Sequence, residues 1–205
     1  MTGQLSALAQ GKAAGSAAPY GSLLLKTGQT TQYDSKLDDG HYEKGVAKSY
    51  TVLTTGQYTG TTNITLNSKT DAKSNNCVLD NNTGLMWSRY RSATLGPNSN
   101  GTLPWTTNEN GEGIFDYCAA ANAASLAGYT DWRVCNLFEL YSIIDNEAAD
   151  SLPDSTAFPS FNYTCWTSTT QTKNTANAYI IDSTSSLTGG VVKTAAYFVV
   201  LVRGG

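Results

Sequence analysis

Asp80-Asn81-Asn82-Thr83-Gly84-Leu85-Met86-Trp87 is the stretch on which the fold turns. Asn and Gly accept positive φ, so Asn81–Gly84 reads as a tight turn. The flanking runs 77–79 and 85–89 read as the two strands of a hairpin. Working back along the chain, 50–54 and 63–67 read as short strands around a Gly- and Thr-rich turn. Asp38-Asp39-Gly40 reads as a turn and 22–26 as an apolar strand. Forward of the hairpin, 95–113 is a Gly-, Asn-, Pro- and Thr-rich loop with Trp105 as its anchor.

Two helices follow. Residues 114–126 are Ala-rich, and Phe115, Cys118, Ala119, Asn122 and Leu126 fall near one face before Gly128. The second helix starts at Asn136, an N-cap with Glu139 three residues on; Leu137, Leu140, Tyr141 and Ile144 recur at helical spacing. After a Pro- and Ser-containing loop at 151–160, the runs 163–169, 178–183, 190–193 and 197–203 are candidate strands. Helices segregated within a strand-rich chain indicate an α+β fold.

Composition narrows the function classes. Of the 205 residues only 14% are charged, with a net charge of −3, and 40% are hydrophobic. Such a chain lacks the basic patch that nucleic acid or anionic lipid requires, and it has no apolar run long enough to cross a bilayer. Residues 1–20 are small and polar, with no signal-peptide pattern; they read as a flexible or docking arm ahead of a single domain at 21–205. Cys77, Cys118, Cys135 and Cys165 show no C-x-x-C spacing. They allow three full pairings, and buried thiols are the other reading. Sequons at Asn63, Asn81, Asn100 and Asn162 are expected by chance in a Thr- and Asn-rich chain.

No nucleophile elbow, Walker A loop, dinucleotide fingerprint or zincin motif occurs. The lone His41 sits in a charged turn, where solvation is its ordinary role. The pairs Asp38/Asp39 and Asp145/Glu147 read as solvated turn and helix-end carboxylates rather than a glycosidase pair. Neither a catalytic nor a metal-binding residue is assigned, and no cofactor. Trp87, Trp105, Trp132 and Trp166 read first as core anchors. Residues 162–197 instead mix Tyr with Thr, Ser, Asn and Asp, the composition of a recognition surface.

Together these motifs carry a family resemblance. Asp80…Trp87 resembles the D-x-x-T-G-L-M-W signature of the Lcl-type, collagen-like adhesin C-terminal domain family. Tyr117-Cys118, Asp131-Trp132-Arg133 with Glu139-Leu140, Trp166-Thr167-Ser168-Thr169 and Val202-Arg203-Gly204-Gly205 follow in the family's order. Cys135 departs from the family's Pro, and Leu201 from a common Cys. The resemblance implies a C-type-lectin-like fold: a small, mainly antiparallel sheet, two helices and long loops, with Leu85, Trp87, Trp132 and Trp166 in the scaffold. It also implies a non-enzymatic protein that binds a macromolecular ligand, protein or glycan, at a virion or cell surface. Some members are variable proteins of diversity-generating retroelements, which display a hypervariable C-terminal face. On that basis the face lies near 160–200. Its contact residues are expected to be Thr164, Cys165, Thr167, Asn174, Tyr179, Ile180, Asp182, Thr184, Leu187 and Tyr197. The resemblance further implies a Cys118–Cys77 pairing, with Cys135 and Cys165 on the variable face or bonded to each other. The calcium-lectin sugar motifs are absent. A fixed-specificity adhesin and, less so, a cryptic hydrolase using Asp38 or Glu147 are the competing readings.

Overall fold

The computed structural model describes residues 24–93, 101–146, 153–159, 161–185 and 187–204. The proposed arm at 1–20, Glu147, the Asn100 sequon, and parts of the 22–26 run and of the loops at 95–113 and 151–160 lie outside them.

In chain order the elements are α1 (Asp39–Tyr42), β1 (Tyr50–Leu53), β2 (Thr61–Leu66), β3 (Lys69–Ser74), β4 (Cys77–Asp80), β5 (Met86–Ser88), β6 (Leu103–Pro104), α2 (Ile114–Ala123), β7 (Arg133–Val134), α3 (Leu137–Ile143), β8 (Thr164–Thr170), β9 (Asn177–Asp182), β10 (Leu187–Val192), β11 (Ala196–Tyr197) and β12 (Leu201–Arg203). The α+β class stands, with every named strand pair antiparallel.

A five-stranded sheet of order β1-β4-β5-β12-β7 forms the centre. The expected hairpin is β4–β5, and the last strand, β12, is inserted between it and β7. Side chains alternate across this sheet. Cys77, Met86, Val134 and Leu201 enter a core with Ile114, Tyr117, Cys118 and Ala121 of α2. Val78, Trp87 and Val202 enter a second core with Leu140 and Ile143 of α3. Period-two alternation with one helix on each face buries both sides of the sheet.

A second sheet, β10-β9-β8, is joined to the first through β8. Trp166 N–H donates to the Phe198 carbonyl at 2.9 Å, Phe198 N–H to the Thr164 carbonyl at 3.2 Å, and Ser168 N–H to the Cys135 carbonyl at 2.8 Å. The hairpin β2–β3 and the pair β6–β11 complete the fold.

Three expectations change. The first helix ends at Ala123 rather than 126: Ser125 is left-handed at φ 51, and a separate 3-10 turn follows at Leu126–Gly128. The reason is Asn122, whose side chain accepts from Trp132 N–H and donates to the Trp132 carbonyl, both at 2.8 Å. The helix end is thereby tied to the strand segment instead of continuing. The Asp38-Asp39-Gly40 turn opens into the single-turn helix α1, with Asp38 accepting from Tyr33 N–H at 2.8 Å. Finally, all four cysteines are free and buried, so neither Cys77–Cys118 nor Cys135–Cys165 is bonded.

Candidate functional site

The motif residues are consumed by the scaffold. Asp80 is 1% exposed. It accepts from Asn82 N–H at 2.9 Å and from the Thr83 hydroxyl at 2.8 Å, which closes the turn. Gly84 completes it at φ 75, a conformation in which an L side chain is strained. Asn81 N–H and the Asn82 amide donate to the carbonyls of Ser49 and Ala47, so the same turn holds the incoming chain.

The D-W-R and R-G-G motifs meet in space. Arg203 makes a two-point ion pair with Asp131 at 2.6 and 3.0 Å and lies 3.7 Å from the Tyr129 ring. Arg133 pairs bidentately with Glu139 at 2.7 and 2.6 Å and donates to the Gly204 carbonyl at 3.0 Å. Glu139 also accepts from Asn136 N–H at 2.8 Å, completing the expected capping box. Burial opposes its ionisation, yet Arg133 and the Asn136 N–H hold the Glu139 carboxyl below its ordinary value. Its stabilisation is therefore present at neutral pH and lost as pH falls through that lowered value. Glu139→Ala is expected to cost about 1–2 kcal/mol at pH 7. The deficit should vanish in acid; urea titrations of both proteins at neutral and acid pH check this.

The residues expected to contact ligand do not share one face. Register places Thr164, Asp182 and Leu187 in one row across the second sheet. Thr184 lies in the turn beside that row, with N–H and hydroxyl both donating to Asp182. Asn174 sits in the β8–β9 turn at the opposite end, exposed. Adjacent residues of a strand point to opposite sides, so Tyr179 and Ile180 part company. Ile180 packs half-buried against the α2-side core, as does Tyr197, whose ring meets Trp166 edge-on at 5.3 Å.

Cys165 and Thr167 are corrections: both are 0% exposed. With Trp166 facing one core, alternation places its neighbours on the other side. That side is covered as well, by α3 and by Phe158, Phe161 and Tyr163, so Cys165 packs within it. Thr167 is fixed by its hydroxyl, which donates to the Tyr179 carbonyl at 2.9 Å. Cys135, also expected on the face, is likewise 0% exposed.

The solvent-facing set that remains lies toward β10. Tyr179 is opposite Gly190, and Asn177 opposite Val192. Leu187 is 68% and Val192 53% exposed. Asn177 is half-buried: it donates to Gln171 Oε1 at 3.2 Å, and its own Oδ1 is buried without a hydrogen-bond partner. Thr188 and Val192 of β10 are exposed too; β10 is an edge strand, which composition does not tell from a central one.

The sequence pattern of the Lcl C-terminal domain matches residues 76–203, more than half of the chain. The protein belongs to the Lcl C-terminal domain family. Membership fits an adhesin-like, ligand-binding domain. No match is found among curated proteins.

In this Lcl C-terminal domain the chemically reactive side chains are scattered or sequestered. Burial pushes the Cys77 thiol up to about 12 and the Cys118 thiol up to about 11, and it raises Cys135 and Cys165 too. Thiols held protonated in this way are poor nucleophiles. His41 is exposed on α1 against Tyr42. Among the described residues no His, Cys, Asp and Glu cluster is placed to hold a metal, and no helix is long and apolar enough to cross a membrane. Two grooves of about 310 and 320 Å³ lie at the 24–50 segment beside α3, one lined by Leu24, Phe138 and Tyr141, the other by Lys48, Asp145 and Asp154. Neither includes an expected contact residue.

Proposed function

We propose that this protein is a non-enzymatic recognition protein with a C-type-lectin-like fold. In this reading it is a variable protein of a diversity-generating retroelement, whose C-terminal strands present a changeable surface to a macromolecular ligand on a cell surface. The observation that carries the reading is a division of labour. The motif residues Asp80, Asp131, Arg133, Glu139, Trp166 and Arg203 are each committed to hydrogen bonds or ion pairs within the scaffold. The exposed positions between them carry side chains on which the fold makes little demand. Asn174 and Thr184 bond only within their own turns, and Leu187 and Val192 stand in solvent. A surface of this kind recognises by shape and hydrogen bonding rather than by charge steering, and no cofactor enters the reading. The N-terminal residues would serve as the attachment to a larger assembly on a virion or cell.

Sequencing this gene and its flanks across a source population tests the reading. Substitutions at the codons of Asn174, Tyr179, Thr184 and Leu187 are expected, confined to adenines of a nearby template repeat beside a reverse transcriptase gene. The codons of Cys165, Trp166 and Thr167 should be constant. An invariant C-terminus without a template repeat would overturn it in favour of a fixed-specificity adhesin, to be pursued by glycan and matrix binding.

A further inference from the structure

The second sheet has one closed edge and one open edge. At β8 the outward backbone groups of Thr164 and Trp166 are taken by Phe198. At β10 Lys193 N–H donates inward to the Ala176 carbonyl at 3.0 Å. Antiparallel pairing alternates, so in the register Leu187↔Asp182 to Val192↔Asn177 the groups of Leu187, Gly189 and Val191 also turn toward β9. Those of Thr188, Gly190 and Val192 turn away. The Val192 carbonyl accepts from Ala195 N–H at 2.9 Å. The other outward groups have no partner among the described residues.

Natural edges are blunted by charge, proline or a bulge. Leu187–Val192 reads LTGGVV, with none of these, and its register with β9 is unbroken. The nearest charges are withdrawn. Lys193 donates to the Thr170 hydroxyl at 2.9 Å and lies 3.9 Å from the Trp105 ring, while Asp182 is held by Thr184.

We propose that β10 is a self-association edge, through which two copies pair antiparallel about a two-fold axis at Gly190. The second copy fits because the outward pattern is its own complement. Gly190 meets Gly190 and Thr188 meets Val192; each donor faces an acceptor, the Val192 carbonyl taking Thr188 N–H of the second copy on the lone pair that Ala195 N–H leaves, and no like charges come together. Gly189 and Gly190 contribute no side chain at the centre of the seam, where the Gln171 carboxamide lies over Gly190. The result is a continuous six-stranded sheet, β8-β9-β10 followed by the same strands of the partner in reverse. It sets the two Tyr179 strands about 14 Å apart, three strand spacings, on one composite surface. A single-strand seam is small, so dissociation on the order of tens to hundreds of micromolar is expected.

Sedimentation equilibrium on the full chain from about 5 to about 500 μM tests this. The mass should rise from 21.8 kDa toward twice that value. Thr188→Pro removes only an outward N–H, so pairing with β9 survives while the seam is blocked. Val192→Lys places charge on the edge without touching the core. Each should weaken association at least tenfold with an unchanged far-UV spectrum; if the proline variant misfolds, Val192→Lys decides. A wild type that is monomeric throughout overturns the proposal and leaves the edge to an extended segment of a ligand. Association unaffected by Val192→Lys overturns it as well.

Discussion

Asp71→Asn is expected to remove about 3–5 kcal/mol of stability at pH 7, and the loss should shrink as the pH is raised. Asp71 and Lys73 lie on β3 with their side chains turned inward, 2% and 4% exposed. Asp71 accepts from the Tyr117 hydroxyl at 2.9 Å and from Ala93 N–H at 3.2 Å, with Lys73 Nζ at 3.9 Å. Lys73 donates to the carbonyls of Tyr90 and Arg91. Burial pulls the Lys73 ammonium down to about 8 from 10.5, opposed by Asp71 and assisted by the Arg91 guanidinium.

Asparagine preserves volume and an acceptor for Tyr117, so the variant isolates the loss of negative charge beside a buried ammonium. The sign follows from linkage. Below pH 8 the wild-type Lys73 is charged in both states and its desolvation cost is fully present. Between 8 and 10.5 the folded state releases a proton that the unfolded state keeps, so stability from this group rises with pH. Without Asp71 the folded value falls further and that relief begins at lower pH. Guanidinium midpoints of wild type and variant from pH 6 to 9.5 should converge, and adding Lys73→Met should recover much of the loss at pH 7. A deficit independent of pH would mean that packing, not charge, is at stake.

The same strand marks where local sequence fails. KTDAKS carries no apolar residue at its inward positions, because Asp71 and Lys73 occupy them, so period-two hydrophobicity is silent over β3. The hairpin and capping box were legible because their signals are local and chemical: Asn and Gly in a turn, Asn and Glu three residues apart. Cys165 and Thr167 were misplaced for the opposite reason. Alternation around Trp166 is real, but whether the second face meets water depends on Phe158, Phe161 and α3, which the chain delivers from elsewhere. The open edge at β10 is likewise a property of sheet order. Leu85, Trp87, Trp132 and Trp166 could be placed in the scaffold from sequence because large apolar side chains within a motif are core anchors; which residues of 162–197 reach solvent could not, because exposure is set by topology.

Trp166 gives the sharpest separation of scaffold from surface. It stands between the two buried residues Cys165 and Thr167, near the start of the 160–200 stretch. Its indole N–H donates to the Leu103 carbonyl at 2.9 Å, its backbone N–H to Phe198, and its ring meets Tyr197 edge-on. Trp166→Ala removes the largest apolar contact between β8 and the α2-side core and orphans a buried carbonyl. A loss of about 3–5 kcal/mol is expected, a large fraction of a whole-domain stability of about 5–15 kcal/mol, so the variant should melt well below the wild type. Trp166→Phe keeps most of the packing but not the donor, and should cost about 1–3 kcal/mol. By contrast Tyr179→Ala or Leu187→Ala should cost less than about 1 kcal/mol of stability, since those side chains stand partly or largely in solvent. Thermal unfolding of the four variants side by side decides the matter. If Trp166→Ala is as mild as Leu187→Ala, β8 is not anchored as described and the surface it carries has no rigid support. If the order holds, change at 179 and 187 is cheap for the fold while change at 166 is ruinous, the asymmetry that a recognition surface built on a fixed scaffold requires.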